Sequence, residues 1–311
     1  MRNPNQRILY ITDTHVGANL KDGYYMQGRC TDEWEAIIDV LRGYIADQKI
    51  DMVLHGGDLV DTADEQIIAL AAKSMRSLGV PVTMCFGNHD LDHVDARKSW
   101  YKIASDLLPQ GTHTGGICGD KINVFVISHH YASNNPPHYW DMKRTDAQIP
   151  VIDETQRATL ELFVAASDKP VIIVTHCPVH GISAEQTGDT EFHPANKAYA
   201  NYLYSLAAQS GNVPLILSAH NHVSSVQRHL GFVTMTTGGL TEVPCSARLL
   251  TIDDEKIKIE QVDFAGQLGL LGKIDESKKW VAGMAKDRCI EIDIKSNDDT
   301  GDMLSELLPM I

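Results

Sequence analysis

The sequence predicts an α/β fold in which a mixed sheet system is covered by helices. Two patterns lead there. Strand-like apolar runs alternate with amphipathic helix-like segments up to about residue 218. From Val223 to about Phe264 the pattern changes to short consecutive strands separated by turns at Gly231, Gly238-Gly239 and Asp253-Asp254. With 311 residues, 43% hydrophobic and 22% charged, the chain can bury a sizeable core in one large domain or two small ones.

Each element has a local reason. "RILYIT" (7 to 12) reads as a strand. In "TDEWEAIIDVLRGYIADQ" (31 to 48), Trp34, Ile37, Ile38, Leu41, Tyr44 and Ile45 recur at helical spacing behind a Thr31 or Asp32 cap. "DMVLH" is a second strand, and "DEQIIALAAKSMRSLG" a helix closed by Gly79. A strand into Phe86 and a helix from about Asp95 to Leu108 follow. "KINVFVIS" (121 to 128) begins with the apolar–polar alternation of a half-buried strand. The segment 129 to 150 is irregular around Pro136-Pro137. Beyond it come a helix near 153 to 166, the strand "PVIIVT", a helix near 195 to 209 and the strand "PLILS". These elements and the later strands make a domain over 1–265. The polar residues 266–311 are read as a C-terminal extension, either packed on the domain or contacting another copy in a homo-oligomer.

The net charge is −14, from 41 acidic and 27 basic residues, and no basic run offsets it. A long groove for a nucleic-acid backbone is therefore disfavoured, although bound divalent metals would reverse the sign locally. The N-terminal "MRNPNQRILYITD" lacks the apolar stretch of a secretion signal, and no window approaches the ~18 apolar residues of a membrane helix. The six cysteines show no CxxC spacing, as expected of reduced thiols in a cytoplasmic protein.

Five segments place polar residues just beyond predicted strands. They are "TDTHVG" (Asp13, His15), "HGGDLVD" (Asp58, Asp61), "FGNHD" (Asn88, His89, Asp90), "VTHCP" (His176) and "SAHNH" (His220, His222). Ligands of open α/β sheets bind outside the carboxyl ends of strands. Any one segment has an ordinary explanation as a cap, a turn or a satisfied polar residue. Five together, in this order, do not.

In that combination the chain resembles the calcineurin-like metallophosphoesterase family over residues 8 to about 240. The family pattern is Asp-x-His, Gly-Asp, Gly-Asn-His-Asp/Glu, His, then Gly-His-x-His; here Ala219 stands at the last Gly. The resemblance implies a four-layer α/β/β/α sandwich of two mixed β-sheets flanked by helices. It also implies two metal ions bridged by Asp58, with Asp13, His15 and His222 completing one site and Asn88, His176 and His220 the other. Imidazole and oxygen donors suit Mn, Fe, Zn, Co or Ni. Two metals ~3.5–4 Å apart activate water and clamp a phosphate. By the same resemblance His89 serves the leaving group and Asp90 orients its ring. Asp61 is expected to cap the following helix or its turn. His55 reads as a packed strand residue, and His193 as lying outside the ligand set.

The implied activity is hydrolysis of phosphate esters, with a phosphodiester of a small-molecule or nucleotide-like type as the leading substrate. A phosphomonoesterase, a nuclease and a non-catalytic scaffold are the rivals, and the last is disfavoured because every expected ligand is present. Tyr139, Trp140, His130, Arg29 and Tyr24 are candidate substrate contacts. Loop 129 to 150 reads equally as a cap over the metals or as an anchored surface loop.

Overall fold

The apolar runs assemble into two six-stranded sheets that pack face to face and carry helices on their outer faces. This computed structural model describes residues 5–21, 25–131 and 139–294; Tyr24 and Pro136-Pro137 lie outside the described residues. In chain order the first elements are β1 (Gln6–Ile11), α1 (Trp34–Gln48), β2 (Met52–His55), α2 (Glu65–Arg76), β3 (Val82–Met84) and α3 (Ala96–Ala104). Then come β4 (Thr114–Ile117), β5 (Asn123–Ile127), the short pair β6 (His130–Tyr131) and β7 (Pro150–Val151), α4 (Glu154–Ala166), β8 (Val171–Thr175), α5 (Ala184–Thr187) and α6 (Lys197–Ser210). The last strands are β9 (Leu215–Ser218), β10 (Ser225–Arg228), β11 (Val233–Thr236), β12 (Ser246–Ile252), β13 (Lys256–Asp263) and β14 (Cys289–Asp293).

The first sheet has the order β14-β13-β12-β1-β2-β3, with β1, β2 and β3 parallel and the others antiparallel. The second has the order β10-β11-β9-β8-β5-β4, parallel from β11 to β5 with an antiparallel strand at each edge. Period-two alternation sorts each strand between two cores. Along β1, Ile8 and Tyr10 enter the layer between the sheets, while Leu9 and Ile11 face α1, α2 and α3. On the far side α4 and α6 cover the second sheet with Leu160, Val164, Tyr199 and Leu203. The parallel strands of both sheets deliver their carboxyl ends to one edge. Tyr10 ties the sheets together just below that edge, donating its buried hydroxyl to the Ser218 carbonyl at 2.9 Å.

Several local expectations change. β5 is buried on both faces, because Val124 and Val126 enter the inter-sheet core while Phe125 and Ile127 pack under α4. Neither Thr31 nor Asp32 caps α1; a 3-10 turn over Thr31–Glu33 leads into it without a side-chain cap. α2 is capped by Asp64, whose carboxylate accepts the amides of Gln66 and Ile67, so Asp61 is not the cap. α3 ends at Ala104 and gives way to two 3-10 turns.

The boundary at 265 does not separate a structural unit. β14 pairs with β13, and Ile290 and Ile292 join Ile257 and Ile259 in the inter-sheet core. The intervening segment is held by Gln27, whose side-chain amide donates to the carbonyls of Asp275 and Lys278. If β14 is integral, the double variant Ile290→Ala/Ile292→Ala should lose ~2–5 kcal/mol per site and unfold at clearly lower temperature and denaturant concentration. An unchanged melting curve would make the strand a detachable appendage.

Candidate metal centre

Backbone geometry at the shared sheet edge is unusual. Of the nine non-glycine residues with positive φ among the described residues, five are Asp13 (49°), His15 (43°), Asp58 (52°), His220 (75°) and His222 (55°). Left-handed backbone at non-glycine residues is strained, and such strain gathers at functional sites. The turns are laced together: the amides of Asp13 and His15 donate to the carbonyls of Gly57 and Asp58, at 3.1 and 3.0 Å. Ala219, where the family pattern has Gly, is absent from the positive-φ residues, and the left-handed turn falls on His220 instead.

The turns bring the predicted donors together in two buried groups. Asp13, His15 and His222 form one, and Asp58, His176 and His220 the other, with the donor atoms of each group within 4.8 Å of one another. Asn88 joins the second, its Oδ1 lying 2.8 Å from His220 Nδ1 and 3.1 Å from His176 Nε2. Asp58 Oδ2 stands between them, 3.3 Å from His176 Nε2 and 3.8 Å from His15 Nε2. Its Oδ1 accepts the backbone amide of His89 at 2.8 Å. Gly87 makes that approach possible, since a Cβ there would sit 2.2 Å from Asp58 Oδ1.

His89 lies at the rim, its side chain 25% exposed and its ring edge-on to His15 at 4.6 Å. Nδ1 donates to the Asp61 carbonyl at 2.7 Å, so Nε2 is the ring nitrogen left for a substrate. This corrects the role expected of Asp90. The Asp90 carboxylate is buried below the turn and accepts the amides of Val60 and Gly87, stitching two site loops together without orienting His89. Burial, reinforced by the Asp58 charge, pushes its pKa up to about 7. Asp61, expected in a cap or turn, instead receives His15 Nδ1 at 3.2 Å. His55 is a hydrogen-bonded strand residue, set between Thr14 Oγ1 and the Gly57 amide.

The candidate substrate contacts separate. Trp140 reaches the site and its indole lies nearly parallel to the His89 ring, at 6.0 Å and 22°. Its amide donates to the Leu91 carbonyl at 2.8 Å, pinning this end of the loop to the His89 turn. Tyr139 is half-buried next to it in sequence. His130 pairs its Nε2 at 2.9 Å with Asp153, the residue that caps α4. Arg29 is 6% exposed and donates to the Asn19 carbonyl, so its guanidinium supports the surrounding loop. One functional residue carried no motif signal. Glu242 is 3% exposed and accepts His222 Nδ1 at 2.6 Å. Its position, just past the Gly238-Gly239 turn that follows β11, was the available clue.

Residues 6–224, well over half of the sequence, match the calcineurin-like phosphoesterase family. The chain belongs to that family. No curated protein sequence matches it. Among solved structures, a dimetal phosphatase from Danio rerio is 13% identical with a TM-score of 0.65, covering 83% of this chain and 96% of that one. The GAP50 anchor of the Plasmodium inner membrane complex is 14% identical with a TM-score of 0.58, covering 99% and 95%. A purple acid phosphatase from yellow lupin seeds is 13% identical with a TM-score of 0.53, covering 83% and 51%. At these identities the likenesses show the shared fold. The two mixed sheets with helices on both faces are the sandwich of the family.

The donors of this phosphoesterase fit cations. Asp13 Oδ1 is buried and accepts no hydrogen bond, yet lies 3.5 Å from His222 Nε2. His15 and His222 point their Nε2 atoms at each other across 3.2 Å, and His176 Nε2 and His220 Nδ1 do the same. Inward nitrogen pairs at that distance need a shared proton or a cation. Burial lowers the His15 and His220 pKa values, and the neighbouring His222 and His176 lower each further. Burial also opposes charge on His176, but the Asp58 carboxylate outweighs it and pushes the pKa up to about 9. Glu242 and Asp13 do the same for His222, again to about 9.

Metal ligation needs neutral imidazole, so metal must displace those protons. At pH 7 loading of the metal-free protein should release ~2 protons. Apparent metal affinity should climb as the pH rises towards 9, where His176 and His222 deprotonate unaided, and flatten above it. Calorimetry in buffers of different ionisation enthalpy checks the proton count, and an affinity independent of pH between 6 and 9 would contradict it.

Proposed function

We propose that this phosphoesterase hydrolyses phosphodiesters of small organic or nucleotide-like alcohols at a dinuclear metal centre. Asp13, His15 and His222 would hold one ion, Asn88, His176 and His220 the other, and Asp58 both. First-row metals such as Mn, Fe, Zn, Co or Ni suit these donors. When bound, the pair supplies a nucleophile from water and neutralises phosphoryl oxygens. A cytoplasmic setting agrees with the six unbridged cysteines.

The observation that carries this reading is the setting of His89. It touches the donor cluster, forms a further group of close donors with His15 and Asp61, matches no expected ligand position, and has one nitrogen fixed by a backbone carbonyl and the other available. In the protonated form Nε2 donates its proton to the departing alkoxide, while Nδ1 stays anchored on Asp61. Trp140 flanks the same ring and offers an aromatic surface to a planar leaving group. The diester preference is supported by charge. Asp13, Asp58, Asp61 and Glu242 surround the donor cluster and largely offset two divalent ions. A nearly neutral centre accepts a singly charged diester more readily than a doubly charged monoester.

With metal-loaded protein, kcat/KM for bis(nitrophenyl) phosphate should exceed that for nitrophenyl phosphate by at least ~10-fold, about 1.4 kcal/mol of transition-state preference. The reverse order would make the protein a monoesterase. His89→Ala should keep its metals and fold yet lose ~10²–10⁴-fold in turnover of diesters with poor leaving groups. Nitrophenyl diesters need little protonation and should lose much less. Equal losses for both leaving groups would remove the proton-donor role.

A further inference from the structure

A row of nitrogen-bearing side chains continues from the donor cluster along the carboxyl edge of the second sheet. β5 and β8 pair Ile127 with Thr175, so His129 and His130 leave β5 just beyond the level of His176. β4 and β5 pair Thr114 with Ile127, and the Ser128 amide donates to the His113 carbonyl at 3.1 Å, which sets His113 one strand further out. At two strand spacings, His113 stands ~10 Å from His176. Arg97, in the first turn of α3, joins this group; its charge is felt by His113 and His129, and its guanidinium lies 5.7 Å over the Phe86 ring.

The group is short of acceptors. Both terminal amino groups of Arg97 are shut away from water without a hydrogen-bond partner among the described residues. Burial holds the guanidinium pKa below its usual range, although the Tyr101 hydroxyl and the Asp153 charge ease the cation in part. Asp153 is already engaged, one oxygen accepting the Gln156 amide at 2.8 Å and the other pairing with His130 Nε2. His129 is 1% exposed, and among the described residues neither of its ring nitrogens has a hydrogen-bond partner. The His113 and His130 rings stand 5.5 Å apart. An unpaired buried guanidinium is destabilising until an acceptor arrives. In a chain of net charge −14 carboxylates are plentiful, yet among the described residues none is hydrogen-bonded to those amino groups.

We propose that Arg97, with His113 and His129 beside it, forms an anion subsite next to the metal centre that takes a second oxyanion, phosphate or carboxylate, on the far arm of the substrate. Arg presents N–H groups in a planar fork that matches two oxygens of such a group. His113 adds a neutral donor. Burial and the Arg97 charge bring its pKa down to about 3, and with Tyr101 donating to Nδ1 at 2.7 Å the ring proton sits on Nε2. The proposal rests on the diesterase reading and narrows it to diesters with a further negative charge on the order of 10 Å from the scissile phosphate.

Three nitrophenyl alkyl phosphodiesters test it on the metal-loaded full-length chain, their alkyl arms of equal length ending in a phosphate, a carboxylate or a hydroxyl. At least one charged arm should exceed the hydroxyl arm in kcat/KM by ~10-fold or more, and the better of the two identifies the group. Arg97→Met should erase that preference, and Arg97→Lys, which keeps the charge without the fork, should restore part of it. Binding is read separately on the metal-free chain. There about 10 mM inorganic phosphate or acetate should raise the melting temperature by about 2 °C or more, and Arg97→Met should not respond. Equal kcat/KM for the three arms in the unmodified chain overturns the subsite, as does a melting shift that is absent or that Arg97→Met retains. A chain that hydrolyses no diester yet shows the Arg97-dependent shift fails the diesterase reading and leaves the subsite standing.

Discussion

The site depends on one buried anion. Asp58 sits where loops from both sheets meet, shut away from water, and a carboxylate in that position must be compensated or it will protonate. Burial by itself would raise its pKa; the surrounding histidines reverse that and hold the group ionised well below the ordinary carboxylate range. The same requirement explains the sequence around it. Gly87 clears space for one oxygen, the His89 amide fills that space, and His176 meets the other oxygen. His89, which is proposed to act on the leaving group, is thus positioned by the residue proposed to bridge the metals.

The sandwich delivers these loops to one edge because parallel strands in both sheets end there. Tyr10 and Ser218 link the two sheets by a buried hydrogen bond, and the Phe86 amide and Ser128 hydroxyl link them by another. Tyr10 lies a few residues before the donor Asp13, and Ser218 a few before His220. An error in sheet packing would therefore pass directly into the spacing of the two donor groups. Fixed dipoles and charges help catalysis only when held in place before the reaction. The rigid inter-sheet core is what holds them.

Much of this was legible in the sequence, and the failures have a common cause. β1, β2, β3, β5, β8 and β9 announced themselves by apolar runs, and the donors announced themselves by position after those strands. β4, with the sequence "TGGI", has two glycines and no apolar alternation, so only its pairing with β5 makes it a strand. β14 hid in a polar C-terminal stretch because only Ile290 and Ile292 face the core. Asp61, Asp90 and Glu242 were misjudged or missed for a related reason. Motif order shows which residues share a turn, whereas the partner of a carboxylate is chosen by folding. Glu242 and His222 are twenty positions apart, and nothing in the intervening residues links them.

The left-handed residues at the centre have an evolutionary consequence. Each of the five positions costs roughly 1 kcal/mol relative to a backbone that glycine would relax. In the absence of metal the same residues also crowd imidazoles and carboxylates into a pocket with too few partners. Stability and chemistry therefore select in opposite directions at the same five codons. A lineage released from its substrate would gain folding free energy by discarding ligands first and would keep the sandwich long afterwards. Persistence of the complete set in a chain is, on this reasoning, a record of continuous use.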